Sequence, residues 1–234
     1  MTAHQLNGCF ERVRRADEHI ADLRQRIVHA LGQQENEVVA QFDPYPPYNL
    51  KLMGATNTFI TMRIGVLIGE ICYNFRSALD YFIFELAKHD SGIAQDGTQF
   101  PIVDRKKDFA WRTKMWLKGI NAAHVAAIER LQPYSGCDWT KALRDLSNRD
   151  KHREFVSIKG DYTAFGYSRI GDRNFDAISA PVRRTPHPVH GEVDVKVYFT
   201  ANVQFPDGAP IIETIEIVKL KVAETLEAFQ SEFK

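Results

Sequence analysis

The chain has 234 residues, and its 30 Lys and Arg balance 30 Asp and Glu, so the formal net charge is zero. Hydrophobic residues make up 44% and charged residues 26%, a composition that excludes a disordered or collagen-like chain. The zero net charge also argues against a protein that holds nucleic acid through an overall basic excess.

The cysteines and the N-terminal residues indicate a compartment. Cys9, Cys72 and Cys137 are widely spaced and form no CxxC pair, so we expect reduced thiols rather than a disulfide framework or a structural zinc site. The first residues lack the apolar stretch of a signal peptide, and no apolar run is long enough to span a bilayer. We therefore expect a cytoplasmic location and no membrane association.

The N-terminal third is predicted to contain one helix and one strand. Apolar residues that recur at helical spacing predict a helix from Thr2 to about Leu31, with Gly32 just past its end. A strand is predicted at Glu37–Phe42. The PYPPY segment Pro44–Tyr48 cannot lie inside a helix, and a packed turn is favoured there over a peptide-docking surface.

A second amphipathic helix is predicted from about Thr61 to Lys88, and we expect it to be central. Arg76 and Asp80 stand at i, i+4, the spacing of an ion pair. A polar stripe lies opposite the apolar sector and comprises Glu70, Asn74, Ser77 and Tyr81. Two interpretations of this stripe stay open: a solvated face with an ordinary salt bridge, or a partly buried polar seam that supports a site or a dimer contact.

The middle of the chain is predicted to be helical. A loop at Ser91–Pro101 contains Ser-Gly, Asp-Gly and a proline. Helices are predicted at Lys106–Trp116 and Ala122–Leu131. Asp138 is a good N-cap for a further helix from Trp139 to about Lys151.

After His152 the pattern changes to that of a small sheet. The predicted strands are Glu154–Ile158 and Tyr162–Tyr167, joined by Gly160-Asp161, and Val193–Phe205, with a long loop at residues 169–192. An amphipathic helix closes the chain at 212–234. The sequence therefore predicts an α+β protein of one domain, 1–234: a mainly helical body (1–153), a β-rich insertion with an antiparallel sheet (154–211) and the closing helix.

The segment Trp139–Arg153, WTKALRDLSNRDKHR, concentrates groups that could carry chemistry. On a helix, Arg144, Asn148, Lys151 and His152 share one side, and Asp145 and Arg149 are spaced as an ion pair. A neutral histidine beside cations can take the proton of an RNA 2′-OH while the cations stabilise the phosphorane. The alternative is that these cations complement the C-terminal end of the helix dipole, with His152 as a cap.

Two segments, NFRSALDYFIFELA (Asn74–Ala87) and LRDLSNRDKHR (Leu143–Arg153), resemble the HEPN superfamily and a group of uncharacterised bacterial proteins. The resemblance implies a four-helix bundle with a polar residue on an early core helix and an Arg…His motif on a later one. It also implies a metal-independent RNase of toxin–antitoxin or phage-defence systems, with an active site formed across a homodimer. Neither Arg144 nor Arg149 stands at the family's usual distance before His152.

These observations give two functional expectations. In the first, the protein is an RNase or defence effector in which His152 is the base and Arg149 or Arg144 contacts phosphate. The residues expected to bind or orient are Asn148, Lys151, Asn74, Arg76 and Asp80. In the second, the same residues form a structural polar network in a catalytically silent interaction or ligand-binding module.

The partners and cofactors follow from the same interpretation. We expect a homodimer, with RNA as substrate and an antitoxin or another protein as partner. We expect no cofactor and no metal, because no ligand set has a credible spacing; the HPVH pair His187 and His190 is typical of a polar loop. The three tryptophans, Trp111, Trp116 and Trp139, are expected to be core or interface anchors rather than platforms for stacked bases.

Overall fold

The computed structural model describes residues 5–34, 39–53, 59–60, 62–151, 157–166, 178–205 and 207–233. It confirms the α+β class. The chain divides into a unit of Met1–Leu23, Arg63–Glu154 and Ile211–Lys234, the helical unit, and a unit of Arg24–Met62 and Phe155–Pro210, the sheet unit. The expectation of a single domain with a β-rich insertion stays a prediction.

Six α-helices lie in the described ranges, and five of them begin and end close to the predicted residues. They are α1 (Asn7–Gln34), α2 (Met62–Ser91), α3 (Lys106–Trp116), α4 (Ala122–Arg130), α5 (Asp138–Lys151) and α6 (Ile212–Phe229), which a 3₁₀ turn extends to Phe233. The predicted bounds of α1 are wrong, because the helix runs through Gly32. A glycine inside a helix costs only about 1 kcal/mol relative to alanine, which is too little to end this helix.

Helix α2 forms much of the core of the helical unit. It buries 15 of its 30 residues, so neighbouring elements cover it on more than one side. Phe75, Leu79 and Phe82 are fully buried, and the ring of Phe82 contacts that of Phe229 on α6 edge to face at 4.8 Å. Asn74 and Ser77 are buried with them, whereas Glu70 and Tyr81 are exposed. The polar stripe is therefore a partly buried seam: its two middle residues are buried and its two end residues are exposed.

The sheet unit contains two antiparallel sheets. In the first, β1 (Val39–Phe42) pairs with β2 (Leu50–Met53) across the PYPPY segment. That segment is a turn, as predicted: the Tyr48 N–H donates to the Tyr45 carbonyl at 3.0 Å. The larger sheet has the strand order β3 (Phe59–Ile60), β4 (Ser157–Gly166), β6 (Gly191–Gln204) and β5 (Ile178–His187).

Two predictions about the larger sheet are wrong. The two short strands predicted around Gly160-Asp161 are one strand, β4, since Gly160 and Asp161 pair in register with Ala201 and Thr200 of β6. Hydrogen bonds to a neighbouring strand override the turn preference of these residues. The parts of the prediction at residues 154–156 and 167 lie outside the described residues.

Strand β5 lies inside the loop predicted at residues 169–192. Its sequence contains two prolines, Pro181 and Pro186, which favour a loop over a strand in the prediction. Prolines are tolerated on edge strands and at bulges. Strand β5 is an edge strand that pairs with β6, and the register shifts between Ser179 and Val182, around Pro181.

Cys9, Cys72 and Cys137 are free cysteines, and burial raises the pKa of Cys9 to about 12. Within the described ranges, no helix combines the length and the apolar character needed to cross a membrane.

Candidate functional site

Helices α2 and α5 share a pocket of about 400 Å³ in the helical unit, which we call the α2–α5 pocket. Arg76 and Asp80 line it from α2, and Arg144 and Asn148 line it from α5. Other side chains that line it are Tyr73, Ser77, Gln99, Trp116 and Ser147. Four of the eight predicted site residues therefore meet in one place.

Arg76 and Asp80 hold the backbone of the loop that leads to α3. Arg76 Nη2 donates to the Phe100 carbonyl at 3.1 Å, and the Phe100 N–H donates to Asp80 Oδ1 at 2.8 Å. Arg76 Nη2 also lies 3.8 Å from Asp80 Oδ1, so the predicted ion pair is confirmed. Because Phe100 is fully buried, the pair satisfies both backbone polar groups of this residue, which water cannot reach.

Burial acts against both charges of this pair. It lowers the pKa of Arg76, although the Asp80 charge opposes the change. Burial also raises the pKa of Asp80, against the effects of the Arg76 charge and of the hydrogen bond from Phe100. About a quarter of the Arg76 side chain and a third of the Asp80 side chain stay exposed. Each charge is therefore stabilised by the other, which indicates that the pair contributes to the stability of the fold.

Arg144 is anchored on α5 by two carboxylates. Its Nη1 lies 2.7 Å from Asp104 Oδ2, and its Nη2 donates to Asp145 Oδ1 at 2.8 Å. Partial burial lowers the pKa of Arg144, but the hydrogen bonds with Asp104 and Asp145 outweigh this effect and raise it. With a further bond from Nε to Asp145, three of the five N–H donors are used. Two remain for an anion.

Asp145, the predicted partner of Arg149, accepts hydrogen bonds from Arg144, because the planar guanidinium reaches the adjacent carboxylate with two donors. The predicted pair of Asp145 with Arg149 stays a prediction. Arg149 is half-buried on α5. Asn148, one turn after Arg144, is exposed and lines the pocket.

Asn74 is not part of the α2–α5 pocket, which corrects its predicted role there. It is only 5% exposed and faces α1. Its Oδ1 accepts a long hydrogen bond from Arg12 Nη1 at 3.5 Å, and its Nδ2 donates to the Glu70 carbonyl at 2.9 Å. Arg12 also donates to the Tyr81 hydroxyl at 3.1 Å. Positions on a helix separated by two residues point in different directions, so Asn74 and Arg76 serve different contacts.

The expected base, His152, lies outside the described residues. Lys151 ends α5, and its side chain also lies outside the description. The prediction that His152 acts as a base, with Lys151 as an orienting residue, therefore stays a prediction.

Helix α3 places Trp111 and Trp116, which the sequence predicts to be core or interface anchors, beside a basic side chain. The Arg112 guanidinium lies over the rings of Trp111 and Trp116, with its Cζ 4.6 and 3.9 Å from the ring centroids. Trp111 and Arg112 line an open groove of about 840 Å³ together with Arg144 and Asn148, so this groove adjoins the α2–α5 pocket. Trp139 is only 9% exposed, as expected of a core anchor, but Trp111 is 53% exposed.

A sequence signal for this placement exists, although it is weak. In the α3 sequence KKDFAWRTKMW, Phe109 and Trp116 at i, i+7 form only a narrow apolar stripe, so the helix lacks a wide apolar face that would bury Trp111. The carboxylate of Asp104, in contrast, has no such signal. It precedes Arg144 by forty positions in the sequence and meets it only in the folded chain.

Among the residues that the structure describes, no group of three His, Cys, Asp or Glu side chains could hold a metal ion. His187 and His190 stack on each other at 4.7 Å in the sheet unit, and His187 also contacts the ring of Phe42. No protein-family model matches the chain, and no curated protein or solved structure matches it.

Proposed function

We propose that the chain is a metal-independent RNase with a HEPN-like helical core, and that it binds RNA at the α2–α5 pocket. One observation carries the proposal. The two segments that resemble the HEPN superfamily, Asn74–Ala87 and Leu143–Arg153, both line this pocket, with Arg76 and Asp80 from the first and Arg144 and Asn148 from the second.

In the proposed reaction, the 2′-oxygen of a ribose attacks the adjacent phosphorus, and the bond from phosphorus to the 5′-oxygen of the next nucleotide breaks. His152 accepts the 2′-OH proton, and the leaving 5′-oxygen takes a proton from water. The products are a 2′,3′-cyclic phosphate and a 5′-hydroxyl. No metal hydroxide is needed, because the nucleophile belongs to the substrate.

The residues of the pocket have separate parts in this proposal. Arg144 stabilises the charge that develops on the phosphorane oxygens through its two remaining donors. Asn148 and Lys151, from the same helix, orient the phosphate. Arg149 is the second candidate for that contact. Arg76 and Asp80 are positioning residues that act through the Phe100 peptide.

The test is cleavage of single-stranded RNA in the presence of a chelator by the wild type and by the His152→Ala variant. Loss of a general base costs about 10²–10⁴ in rate. The matched control is His190→Ala, which removes an exposed histidine of the sheet unit. Thermal unfolding of each variant shows whether the fold is intact.

We expect the wild type and His190→Ala to cleave equally and to leave cyclic phosphate ends, and we expect His152→Ala to be folded and inactive. Cleavage that disappears with chelator contradicts the mechanism. Cleavage that survives in His152→Ala contradicts the assignment of the base.

A second candidate function is a catalytically silent binding module. It is favoured by the pairing of both pocket arginines: Arg76 with Asp80, and Arg144 with Asp104 and Asp145. Binding of RNA without cleavage by the wild type, across a range of single-stranded and structured RNAs, would favour this candidate over the RNase.

Assembly and location belong to the proposal as well. We propose that the protein acts in the cytoplasm as a homodimer, with an antitoxin or another protein as regulator. Ile217 and Leu220 are exposed on α6 and are available to such an interface. Light scattering should give about twice the chain mass of 26.8 kDa; the mass of one chain at all concentrations would contradict the dimer.

A further inference from the structure

Helix α3 has an outer face that is both basic and aromatic. Six residues of the helix are exposed: Lys106, Lys107, Ala110, Trp111, Lys114 and Met115. At 100° per residue they occupy one half of the helix. This half, which we call the α3 outer face, has three lysines and no acidic residue.

The charge of this face is not neutralised by the described part of the protein. No described carboxylate forms an ion pair with Lys107 or Lys114, and Lys106 reaches Glu129 only at 4.0 Å, with 83% of its side chain exposed. The exposed Arg14 of α1, in contrast, is paired within its own helix with Glu11 and Glu18. The α3 outer face therefore attracts anions.

Trp111 is a second, independent feature of the same face. A large aromatic ring that is 53% exposed loses the burial that normally stabilises it. The ring nevertheless has a fixed support, since the Arg112 guanidinium lies over it and over Trp116. An exposed and supported ring beside cations is the arrangement on which nucleic-acid bases stack.

The position of Trp111 connects this face to the candidate site. Trp111 lines the open groove with Arg144 and Asn148, and these two residues also line the α2–α5 pocket. A strand with one base on Trp111 would have its neighbouring phosphates near the pocket.

We propose that the α3 outer face binds single-stranded RNA, with a base stacked on Trp111 and with phosphates on Lys107 and Lys114, and that it leads the strand into the α2–α5 pocket. This inference rests on the proposed function, because it supplies the substrate contacts outside the reacting phosphate. The strand must be single, since a base in a duplex has no free face for the indole.

The chemistry of the helix favours RNA over a membrane surface. A helix that lies on a bilayer inserts a continuous apolar face. In α3 the apolar side, with Phe109 and Trp116, packs into the protein, and the outer face offers only Trp111 and Met115 as apolar anchors beside three lysines.

The experiment measures binding separately from cleavage. The His152→Ala variant, in chelator, is titrated against a fluorescein-labelled single-stranded RNA, and anisotropy gives Kd at several salt concentrations. In this background, Trp111→Ala should weaken binding about tenfold or more, and Trp111→Phe should retain most of it. The matched aromatic control is Tyr45→Ala, which removes an exposed tyrosine of the sheet unit.

The lysines are tested through the salt dependence. The double variant Lys107→Gln/Lys114→Gln should reduce the slope of log K against log salt by about 1.4, since each phosphate contact with a single strand contributes about 0.7. The control is Lys88→Gln/Lys141→Gln, which removes two exposed lysines of other helices and should leave the slope unchanged.

The outcomes separate this inference from the proposed function. Binding that depends on Trp111 without cleavage by the wild type supports the inference and overturns the RNase. Cleavage by the wild type with normal RNA binding by Trp111→Ala and by the lysine variant overturns the inference alone. Absence of RNA binding, or loss in Trp111→Ala of binding to anionic phosphatidylserine vesicles but not to RNA, also overturns it.

Discussion

The α2–α5 pocket and the α3 outer face both place cations beside aromatic rings, but the cations have different partners. In the pocket, Arg76 is paired with Asp80 and bonded to the Phe100 carbonyl, and Arg144 is bonded to Asp104 and Asp145. On the α3 outer face, Lys107 and Lys114 form no ion pair with any described carboxylate.

This difference separates cations that also stabilise the fold from cations whose only available contact is with a ligand. A partly buried charge must be paired, and removing its partner destabilises the protein. An exposed lysine adds little to stability, so its charge can contact a ligand with almost no effect on the free energy of unfolding. Substitutions in the pocket should therefore lower the free energy of unfolding, and substitutions on the α3 outer face should lower RNA binding.

The largest effect on stability should come from Asp80→Ala. The change leaves the Arg76 charge without its partner and the buried Phe100 N–H without an acceptor. We expect a loss of about 2 kcal/mol in the free energy of unfolding, measured with urea, since water screens part of the pair.

The control for this comparison is Lys107→Ala/Lys114→Ala, which should stay within about 0.5 kcal/mol of the wild type. Equal losses in both variants would mean that the pocket and the α3 outer face do not differ in the way that their contacts indicate.

A smaller loss is expected from Asn74→Ala, about 1 kcal/mol. The variant loses the contacts of Asn74 with Arg12 and with the Glu70 carbonyl. Because Asn74 faces α1, RNA binding and cleavage should stay within twofold of the wild type. A folded Asn74→Ala protein with strongly reduced cleavage would mean that Asn74 contributes to the site.

The smallest effect is a dependence of stability on pH. Burial raises the pKa of Asp80 above its ordinary value of 3.8, so the native state keeps this proton to a higher pH than the unfolded state does. Stability must then fall as pH rises through the window between the two pKa values. The Asp80→Asn variant lacks this fall.

The stability of the wild type relative to Asp80→Asn should therefore decrease as the pH rises above the ordinary pKa of 3.8, as followed by urea unfolding at each pH. A relative stability that increases over this range would mean that pairing with Arg76 outweighs burial and lowers the pKa of Asp80.

The sequence predicts local structure better than contacts between distant residues. The helix at Lys106–Trp116 is found with its predicted bounds, since helix propensity is a local property of the chain. Strand β5 was not predicted because it contains two prolines. A strand tolerates proline at an edge position or a bulge, and both features of β5 depend on its pairing with β6.

The site shows the same division. The spacing of Arg76 and Asp80, and of Arg144 and Asn148, predicts which of these side chains share a helix side, and all four line one pocket. Spacing does not predict that Asp104 binds Arg144, or that Trp111 is exposed beside it. Those contacts join residues that are far apart in the sequence and meet only in the folded chain.

The most direct test of the account is photocrosslinking of single-stranded RNA that contains 4-thiouridine to the His152→Ala protein in chelator, with the crosslinked peptides identified by mass spectrometry. We expect crosslinks in α3, centred on Trp111, and in α5 around Arg144 and Asn148, and we expect unlabelled RNA to compete them away. Crosslinks confined to the sheet unit, with none in α3 or α5, would contradict it.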